Sequence, residues 1–358
     1  MTFTLTSLSQ LAGHDFDDII DVRTPAEFAE DHLPGAINLP VLDGEEHARV
    51  GTLYKQVSPF TARKLGAALV SRNAARHLEG PLADRDGGWK PLVYCWRGGQ
   101  RSGSFEVILK MIGWRVERVE GGYKRFRGLV VDALYEQPFP APVVLLDGNT
   151  GSAKTDLLKR LPDLGVQVLD LEGLANHRGS LFGAMGAQPQ QRGFETALAM
   201  QVQALDPTRP VLVEAESAKV GNCRIPPALW KAMRDAPRIE VIAPLEERAD
   251  YLTRAYADVS ADMGRLHDTI DALRRYLSAD QIAAWHAQAD AGDMRALARS
   301  LMELRYDPTY TRHRARMDPV SITPLEAPSL AEAALPGLAE RLAETLTTLT
   351  LPEGPRYD

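Results

Sequence analysis

One cysteine within a run of glycines and arginines is the part of this sequence best suited to chemistry. An apolar strand pattern precedes this loop and a helical pattern follows it. Backbone N–H groups in such a loop, together with the positive end of the helix dipole, can bind a thiolate or a tetrahedral oxyanion. We therefore predict a nucleophilic cysteine rather than a buried structural thiol. The loop comprises Cys95, Trp96, Arg97, Gly98, Gly99, Gln100, Arg101 and Ser102, with Cys95, Arg97 and Arg101 as the catalytic candidates.

The composition is that of a folded protein with two domains. The chain has 358 residues, 44% of them hydrophobic and 25% charged, and a net charge of −7. Its two cysteines, Cys95 and Cys223, are too few for a disulfide framework, so we expect both to be reduced and Cys223 to be structural. No apolar run is long enough to cross a membrane, so we expect a cytoplasmic protein with no membrane partner. The negative charge argues mildly against nucleic acid, although a local basic face can still bind phosphates.

The first half of the chain alternates between strand and helix patterns. Buried strands are predicted at 18–22, 36–39, 91–94 and 116–119. Thr24, Pro25 and Glu27 form a capping box that begins a short helix after the first of them. This alternation predicts a parallel sheet, in which sites lie at the carboxyl ends of the strands, and Cys95 falls at such an end.

A second strand–loop–helix pattern follows a proline-rich linker at 137–142. The spacing after a buried strand at 143–147 is that of a Walker A phosphate loop. Ala153 replaces the second glycine of that motif, and its β-carbon is expected to crowd a phosphate, which argues against catalytic nucleotide turnover. Lys154 and Thr155 are retained, so anion binding is still expected. The predicted phosphate-binding residues are Gly148, Asn149, Thr150, Gly151, Ser152, Ala153, Lys154 and Thr155.

Polar residues behind the phosphate loop form a predicted substrate loop. Acids at the end of a strand in this fold often serve a metal or a water molecule, and a segment dense in polar residues is better suited to function than to a core. Further strands are predicted at 210–213 and 238–243. The candidates are Asp170, Glu172, His177, Arg178, Glu214 and Glu216.

The last third of the chain has a helical pattern rich in arginine. Leu297, Leu301 and Leu304 are predicted to share one buried face. Solvated helix faces are the usual place for arginines, but their density here also suggests contact with an RNA backbone. The candidate RNA-binding residues are Arg312, Arg314 and Arg316, with Lys124, Arg125 and Arg127 as an extension from the first half.

The first half resembles the rhodanese-like domains over about residues 14 to 130. The resemblance rests on Asp21-Val22-Arg23, the segment from His32 to Asn38, the cysteine loop, and Glu120-Gly121-Gly122. Two features depart from plain sulfurtransferases: an insertion at about 42–90, and five residues between Cys95 and Arg101 where those enzymes have four. The wider loop suggests a bulkier anion, and the same spacing occurs in tyrosine- and dual-specificity phosphatases.

The whole chain is similar to the bacterial tRNA 2-selenouridine synthases. This resemblance adds the segments Leu171 to Ser180, Gly51 to Gln56 and Tyr306 to Tyr310. It implies an α/β protein with a rhodanese-like parallel-sheet domain at 1–136, the linker at 137–142 and a P-loop NTPase-like α/β domain at 143–245. A helical C-terminal region at 246–358 is expected to pack on the P-loop domain.

The resemblance also implies a reaction. The family replaces the sulfur of wobble 2-thiouridine in tRNA with selenium from selenophosphate, through an S-geranyl intermediate made from geranyl diphosphate. Cys95 is implied to attack selenophosphate and to carry a perselenide while Arg97 and Arg101 hold the phosphate, and the phosphate loop would hold the diphosphate. tRNA is the expected partner and selenophosphate synthetase the expected source of the donor. We expect no tightly bound cofactor and no protein metal site, although Mg²⁺ could accompany the diphosphate.

Three other functions fit parts of the sequence. A plain sulfurtransferase fused to a P-loop module conflicts with the wider cysteine loop. A phosphatase with this loop spacing usually has a histidine before the cysteine, where this chain has Tyr94. In a P-loop RNA-binding or kinase-like protein, the rhodanese-like domain would only regulate, and ATP turnover would not depend on Cys95.

Overall fold

A computed structural model of the chain describes residues 2–178, 186–215, 217–257, 262–314 and 321–349. The chain divides into two compact units: Met1–Gln137 with Pro189–Ala204, and Pro138–Gln188 with Leu205–Asp358. Residues 189–204 therefore belong to the first unit, whereas the sequence assigned them to the P-loop domain. No helix of the described ranges is both long and apolar enough to cross a membrane.

Strands and helices alternate along most of the described chain. The strands are β1 (Thr2–Phe3), β2 (Asp18–Asp21), β3 (Ala36–Asn38), β4 (Pro91–Tyr94), β5 (Glu117–Val119), β6 (Val143–Gly148), β7 (Gln167–Leu169), β8 (Val211–Glu214), β9 (Lys219–Val220), β10 (Cys223–Arg224), β11 (Arg238–Ile242) and β12 (Ile322–Glu326). The α-helices are α1 (Pro25–Glu30), α2 (Gly44–Gln56), α3 (Pro59–Glu79), α4 (Gln100–Ile112), α5 (Gly122–Val131), α6 (Lys154–Arg160), α7 (Leu171–Leu174), α8 (Gln191–Gln203), α9 (Pro227–Arg234), α10 (Leu245–Ala255), α11 (Met263–Asp271), α12 (Ala279–Asp290), α13 (Met294–Leu301), α14 (Asp307–Arg314) and α15 (Leu335–Thr348).

The first unit contains a five-stranded parallel sheet in the order β1-β5-β4-β2-β3. The four residues of β4 are all buried, as expected for a strand with neighbours on both sides and helices on both faces. The predicted capping box is confirmed, because the Thr24 side chain accepts from the Glu27 N–H and the Glu27 side chain binds the Thr24 N–H. Gly113, with φ of +109°, ends α4 in the left-handed conformation that glycine adopts without strain.

The second unit contains a second five-stranded parallel sheet, in the order β12-β11-β6-β8-β7, and a short antiparallel β9–β10 pair. The central strand β6 is buried along its whole length, and the glycine-rich loop follows it directly. Phe139 and Ala141, within the predicted proline-rich linker, are buried. The Pro142 carbonyl accepts from the Val211 N–H.

Two features of the last third differ from the sequence-based expectation. The region is not purely helical, because β12 pairs with β11 at the edge of the sheet, where Pro324 needs no N–H partner. Leu304 is 48% exposed, while Leu297 and Leu301 are buried as predicted. The cause is a wider π-helical turn at Met302–Tyr306, which shifts the helical periodicity and turns Met302 into the core in place of Leu304.

Candidate active site

Cys95 follows β4 directly and lies at the carboxyl edge of the first sheet, as the sequence predicts. The residue is 3% exposed, and its sulfur faces its own loop. The Gly99 N–H donates to Sγ at 3.3 Å, and the Ser102 hydroxyl donates at 3.1 Å. Both donors stabilise a thiolate more than a thiol, because hydrogen bonds to a charged acceptor are the stronger ones.

The first turn of α5 holds the back of the cysteine loop. The Cys95 carbonyl accepts from the Tyr123 N–H at 2.8 Å, and the Trp96 carbonyl accepts from the Lys124 N–H at 2.9 Å. Gly122, with φ of +58°, allows this approach, because a β-carbon there would lie 2.3 Å from the Cys95 carbonyl oxygen. These contacts occupy two carbonyls of the loop on the side of α5.

A buried polar network holds the start of α5 in place behind the cysteine loop. The Arg23 guanidinium binds both carboxylate oxygens of Asp21 and lies 4.0 Å from the Tyr123 ring centroid. The Tyr123 hydroxyl donates to Asp31 at 2.8 Å, and the Thr196 hydroxyl of α8 donates to the same carboxylate at 2.9 Å. Burial raises the pKa of Asp31, and these two hydrogen bonds oppose that rise. The helix α8 is thus tied to the network that holds α5.

Arg101 does not pair with the sulfur. Its guanidinium forms two hydrogen bonds to the Glu27 carboxylate, at 2.7 and 3.1 Å. Burial disfavours the charged form of Glu27, but the hydrogen bonds and charge of Arg101, helped by Thr24, outweigh it and lower the pKa of this carboxyl to about 2. Arg97 is exposed at the mouth of the loop. The two arginines therefore supply positive charge at the rim, while Gly99 and Ser102 contact the sulfur.

An open cleft of about 530 Å³ lies over the sulfur. Its lining joins the predicted loop to the two helices of the insertion, which the sequence left without a role. The lining residues are Tyr54, Arg63, Cys95, Trp96, Arg97, Gly99, Gln100 and Arg101. The predicted members Gly98 and Ser102 lie behind this surface: Gly98, with φ of +66°, packs close to the Val119 carbonyl, and Ser102 is buried.

The glycine-rich loop of the second unit leads from β6 into α6, in the predicted strand–loop–helix context. Ala153 adopts a left-handed conformation with φ of 60°, which costs a non-glycine residue roughly 1–2 kcal/mol. Its side chain is buried in the apolar cluster that includes Leu157 and Leu146. The Ala153 methyl group therefore packs into the core and does not crowd a phosphate as the sequence led us to expect.

Lys154 and Thr155 connect the loop to neighbouring groups. The Lys154 ammonium donates to the carbonyls of Gly148 and Asn149, at 2.7 and 3.3 Å. The Thr155 hydroxyl donates to the Glu172 carboxylate at 2.9 Å.

Glu172 links this part of the loop to the end of β8. The Glu172 N–H donates to the Glu214 carboxylate at 3.1 Å. Thr155, Glu172 and Glu214 are thus brought together, and they are the groups suited to hold Mg²⁺ beside a bound diphosphate. No cluster of three or more acidic, histidine or cysteine side chains suited to a metal occurs among the described residues.

The remaining candidates of the substrate loop have separate roles. Asp170 is the N-cap of α7 and accepts from the Gly173 N–H, so its carboxylate has a structural partner. Burial lowers the pKa of His177. The Arg178 guanidinium lies 4.9 Å from the ring centroid of Tyr256. Glu216 lies outside the described residues.

The predicted arginine surface is only partly described. Arg312 is exposed on α14, and its Nε donates to the Pro308 carbonyl, whereas the Arg314 side chain and Arg316 lie outside the described residues. In the proposed extension from the first half, Arg125 is exposed and its Nε donates to the Leu5 carbonyl, whereas Arg127 is half-buried and pairs with Glu195. Arg127 therefore has a carboxylate partner within the fold, and contact of these residues with RNA stays a prediction.

Sequence reasoning missed three residues that support the phosphate loop. Arg248 was one of many arginines assigned to a solvated helix face, but it is buried and donates to the Thr150 carbonyl at 3.1 Å. Asp307 neutralises it at 2.8 Å. Tyr310, one helical turn later, places its ring centroid 5.8 Å from the Lys154 ammonium. The segment from Tyr306 to Tyr310 carried a family resemblance, but its spacing alone does not reveal these contacts.

This fold and site define a class of protein: a rhodanese-like domain with a cysteine loop at the carboxyl edge of its sheet, followed by a P-loop domain. A rhodanese-like domain model matches residues 4–129, and the model of the tRNA 2-selenouridine synthase AAA domain matches residues 141–324. A tRNA 2-selenouridine synthase from Hahella chejuensis is 33% identical over 329 residues, or 82% of this chain and 84% of the relative. One from Cupriavidus pinatubonensis is 34% identical over 82% of this chain and 87% of the relative. A third, from Aeromonas salmonicida, is 38% identical over 69% and 67%. The chain belongs to the tRNA 2-selenouridine synthase family.

Proposed function

We propose that this protein converts wobble 2-thiouridine of tRNA to 2-selenouridine in the cytoplasm. Selenophosphate, supplied by a selenophosphate synthetase, would donate the selenium, and geranyl diphosphate would activate the sulfur. The observation that carries this proposal is a cysteine sulfur, hydrogen-bonded by Gly99 and Ser102, at the base of a cleft with arginines on its rim. Membership of the family, whose relatives are named tRNA 2-selenouridine synthases, supports tRNA as the substrate and 2-selenouridine as the product.

The first step prepares the sulfur to leave. The sulfur of 2-thiouridine attacks C1 of geranyl diphosphate, the C–O bond breaks, and diphosphate departs with the electron pair. The leaving diphosphate needs charge stabilisation more than an activated water molecule. The N–H groups at the start of α6 and the Lys154 ammonium are the groups suited to give it.

The second step exchanges sulfur for selenium. The selenium of selenophosphate attacks C2 of the alkylated base, the C–S bond breaks, and geranylthiolate leaves and takes a proton. The product of this exchange still carries the phosphoryl group on selenium. Removal of that group completes 2-selenouridine.

We assign this last removal to Cys95. Its thiolate attacks phosphorus, the Se–P bond breaks with the electron pair passing to selenium, and water then hydrolyses the phosphocysteine to phosphate. This route replaces the perselenide that the resemblance implied, because attack of the thiolate on selenium would release phosphite, two electrons more reduced than phosphate. The loop from Cys95 to Arg101 has the length used for thiolate attack on phosphoryl groups, and Ser102 can stabilise the departing thiolate.

Mass spectrometry of the nucleosides tests this function. Thiolated tRNA would be incubated with the protein, with geranyl diphosphate and selenophosphate supplied separately and then together. We expect S-geranyl-2-thiouridine with geranyl diphosphate alone and 2-selenouridine with both. Absence of 2-selenouridine with both substrates present would contradict this function. Rapid hydrolysis of an aryl phosphate without tRNA would indicate a phosphatase instead.

A further inference from the structure

The helices inserted into the rhodanese-like domain form one wall of the Cys95 cleft. We call α2 and α3, with the two residues between them, the insertion hairpin (residues 44–79). Tyr54 from α2 and Arg63 from α3 both line the cleft. A phosphoryl group alone would fill only a small part of about 530 Å³, a volume within the range of pockets that hold whole small molecules. The cleft therefore has room for a group larger than the anion at the loop.

The insertion hairpin is net positive on an acidic protein, and its three glutamates, Glu45, Glu46 and Glu79, lie at its two ends in the sequence. Residues 47–78 contain no aspartate or glutamate, although the net charge of the chain is −7. The same stretch contains six lysines and arginines, and all six are exposed: Arg49, Lys55, Arg63, Lys64, Arg72 and Arg76. Such a local excess of positive charge attracts a polyanion.

The joined end of the hairpin also exposes large apolar side chains. Tyr54 is 56% exposed, Val57 68% and Phe60 71%. Exposed aromatic rings among lysines and arginines are the combination that binds single-stranded nucleic acid, in which bases stack on the rings and phosphates meet the cations. An acidic protein partner would use the charges but would not need an aromatic ring at the mouth of a reactive cleft.

We propose that the insertion hairpin receives the anticodon loop of tRNA, with Tyr54 stacking on a base at the mouth of the cleft. Lys55, Arg63 and Lys64 contact the phosphates on either side of it. The proposal rests on the proposed function, because it identifies how that substrate reaches Cys95. It assigns the RNA-binding role to this hairpin, in addition to the C-terminal arginines that the sequence suggested.

Binding of a fluorescent anticodon stem-loop containing 2-thiouridine to the full-length protein tests this surface. Tyr54→Ala should weaken binding roughly tenfold, and Tyr54→Phe should restore it, because stacking needs the ring and not the hydroxyl. Leu164→Ala is the control, since Leu164 is a 43% exposed apolar residue of the second unit, and the affinity of this variant should equal that of the wild type.

The salt dependence of binding tests the cations separately. The double variant Lys55→Ala/Lys64→Ala should reduce the slope of log K against log salt by about 1.4, since each single-strand phosphate contact contributes about 0.7. Lys159→Ala/Lys231→Ala, which removes two exposed lysines of the second unit, should leave the slope unchanged.

Each alternative outcome has a clear meaning. Wild-type affinity in both Tyr54→Ala and the lysine double variant would overturn the proposal. So would normal RNA binding combined with loss of a complex with selenophosphate synthetase, because the hairpin would then serve a protein partner. Failure of the wild-type protein to form 2-selenouridine would instead reject the proposed function. Formation of 2-selenouridine with unaffected RNA binding in the variants would reject this inference alone.

Discussion

Removing the Ser102 hydroxyl tests whether the loop stabilises the thiolate of Cys95. Ser102 is buried and donates to Sγ at 3.1 Å, so Ser102→Ala deletes one of the two hydrogen bonds to the sulfur with little change in packing. A hydrogen bond to a charged partner is worth about 1.5–3 kcal/mol. Its loss would weaken the stabilisation of negative charge on the sulfur by about that amount, which corresponds to roughly ten- to a hundredfold.

The alkylation rate of Cys95 should fall by less than this full factor. A less stabilised thiolate is a better nucleophile, and a Brønsted coefficient of about 0.4–0.5 restores nearly half of the loss on a logarithmic scale. We therefore expect Ser102→Ala to slow alkylation of Cys95 by iodoacetamide roughly three- to tenfold at neutral pH.

Peptide mass spectrometry can assign the label to Cys95. The buried Cys223, whose pKa is raised by its burial, should react much more slowly. Ser104→Ala is the matched control: it lies on the same helix and is not among the sulfur's donors, so it should react like the wild type. An alkylation rate in Ser102→Ala equal to or above the wild-type rate would refute the stabilising role of this hydroxyl.

Three further predictions follow from the geometry of the two units. The pKa of Glu27 is lowered from 4.5 to about 2, so its pairing with Arg101 stabilises the fold above about pH 4.5 and less as the pH falls towards 2. Glu27→Gln should lower the free energy of unfolding by about 1–2 kcal/mol at pH 7, after allowance for solvent screening. It should also flatten the acid dependence of the stability measured by urea unfolding, and an unchanged pH profile would contradict the pairing. Gly122→Ala should lower the free energy of unfolding by about 3 kcal/mol or more, because it adds a clash to a left-handed backbone conformation. Gly128→Ala, on the open side of α5, should leave that free energy unchanged or raise it slightly in the same urea titration. Lys154→Met should weaken geranyl diphosphate binding in calorimetry by roughly tenfold or more, and equal affinity would exclude this lysine from the diphosphate site.

The position of Cys95 could be predicted from the sequence because two strong local signals coincide there. A short apolar run marks a central strand, and the parallel-sheet rule then places the next residue at the carboxyl edge. The partner of Arg101 could not be predicted in the same way. Glu27 lies 74 residues earlier, and only the pairing of β2 with β4 brings the two elements together. Periodicity contains no information about such ion pairs.

The same limit explains what was missed in the second unit and in the insertion. The prediction for Ala153 came from comparison with the glycine that usually occupies its position. The direction of its methyl group depends instead on a core built from distant helices. Tyr54 and Arg63 belong to helices whose patterns show amphipathic surfaces without naming the cleft that they border. The helix α8 has an ordinary amphipathic sequence, and only its contacts, such as Thr196 with Asp31 and Glu195 with Arg127, show that it packs in the first unit.

The fate of the nucleoside in Cys95→Ser tests the role of the cysteine most directly. Thiolated tRNA, geranyl diphosphate and selenophosphate would be incubated with this variant, and the wobble nucleoside would be identified by mass spectrometry. We expect the geranylated and the Se-phosphorylated nucleosides to accumulate without 2-selenouridine, while the wild-type protein, quenched in acid, carries a phosphoryl group on the Cys95 peptide. Formation of 2-selenouridine by Cys95→Ser at the wild-type rate would show that the reaction does not pass through this sulfur.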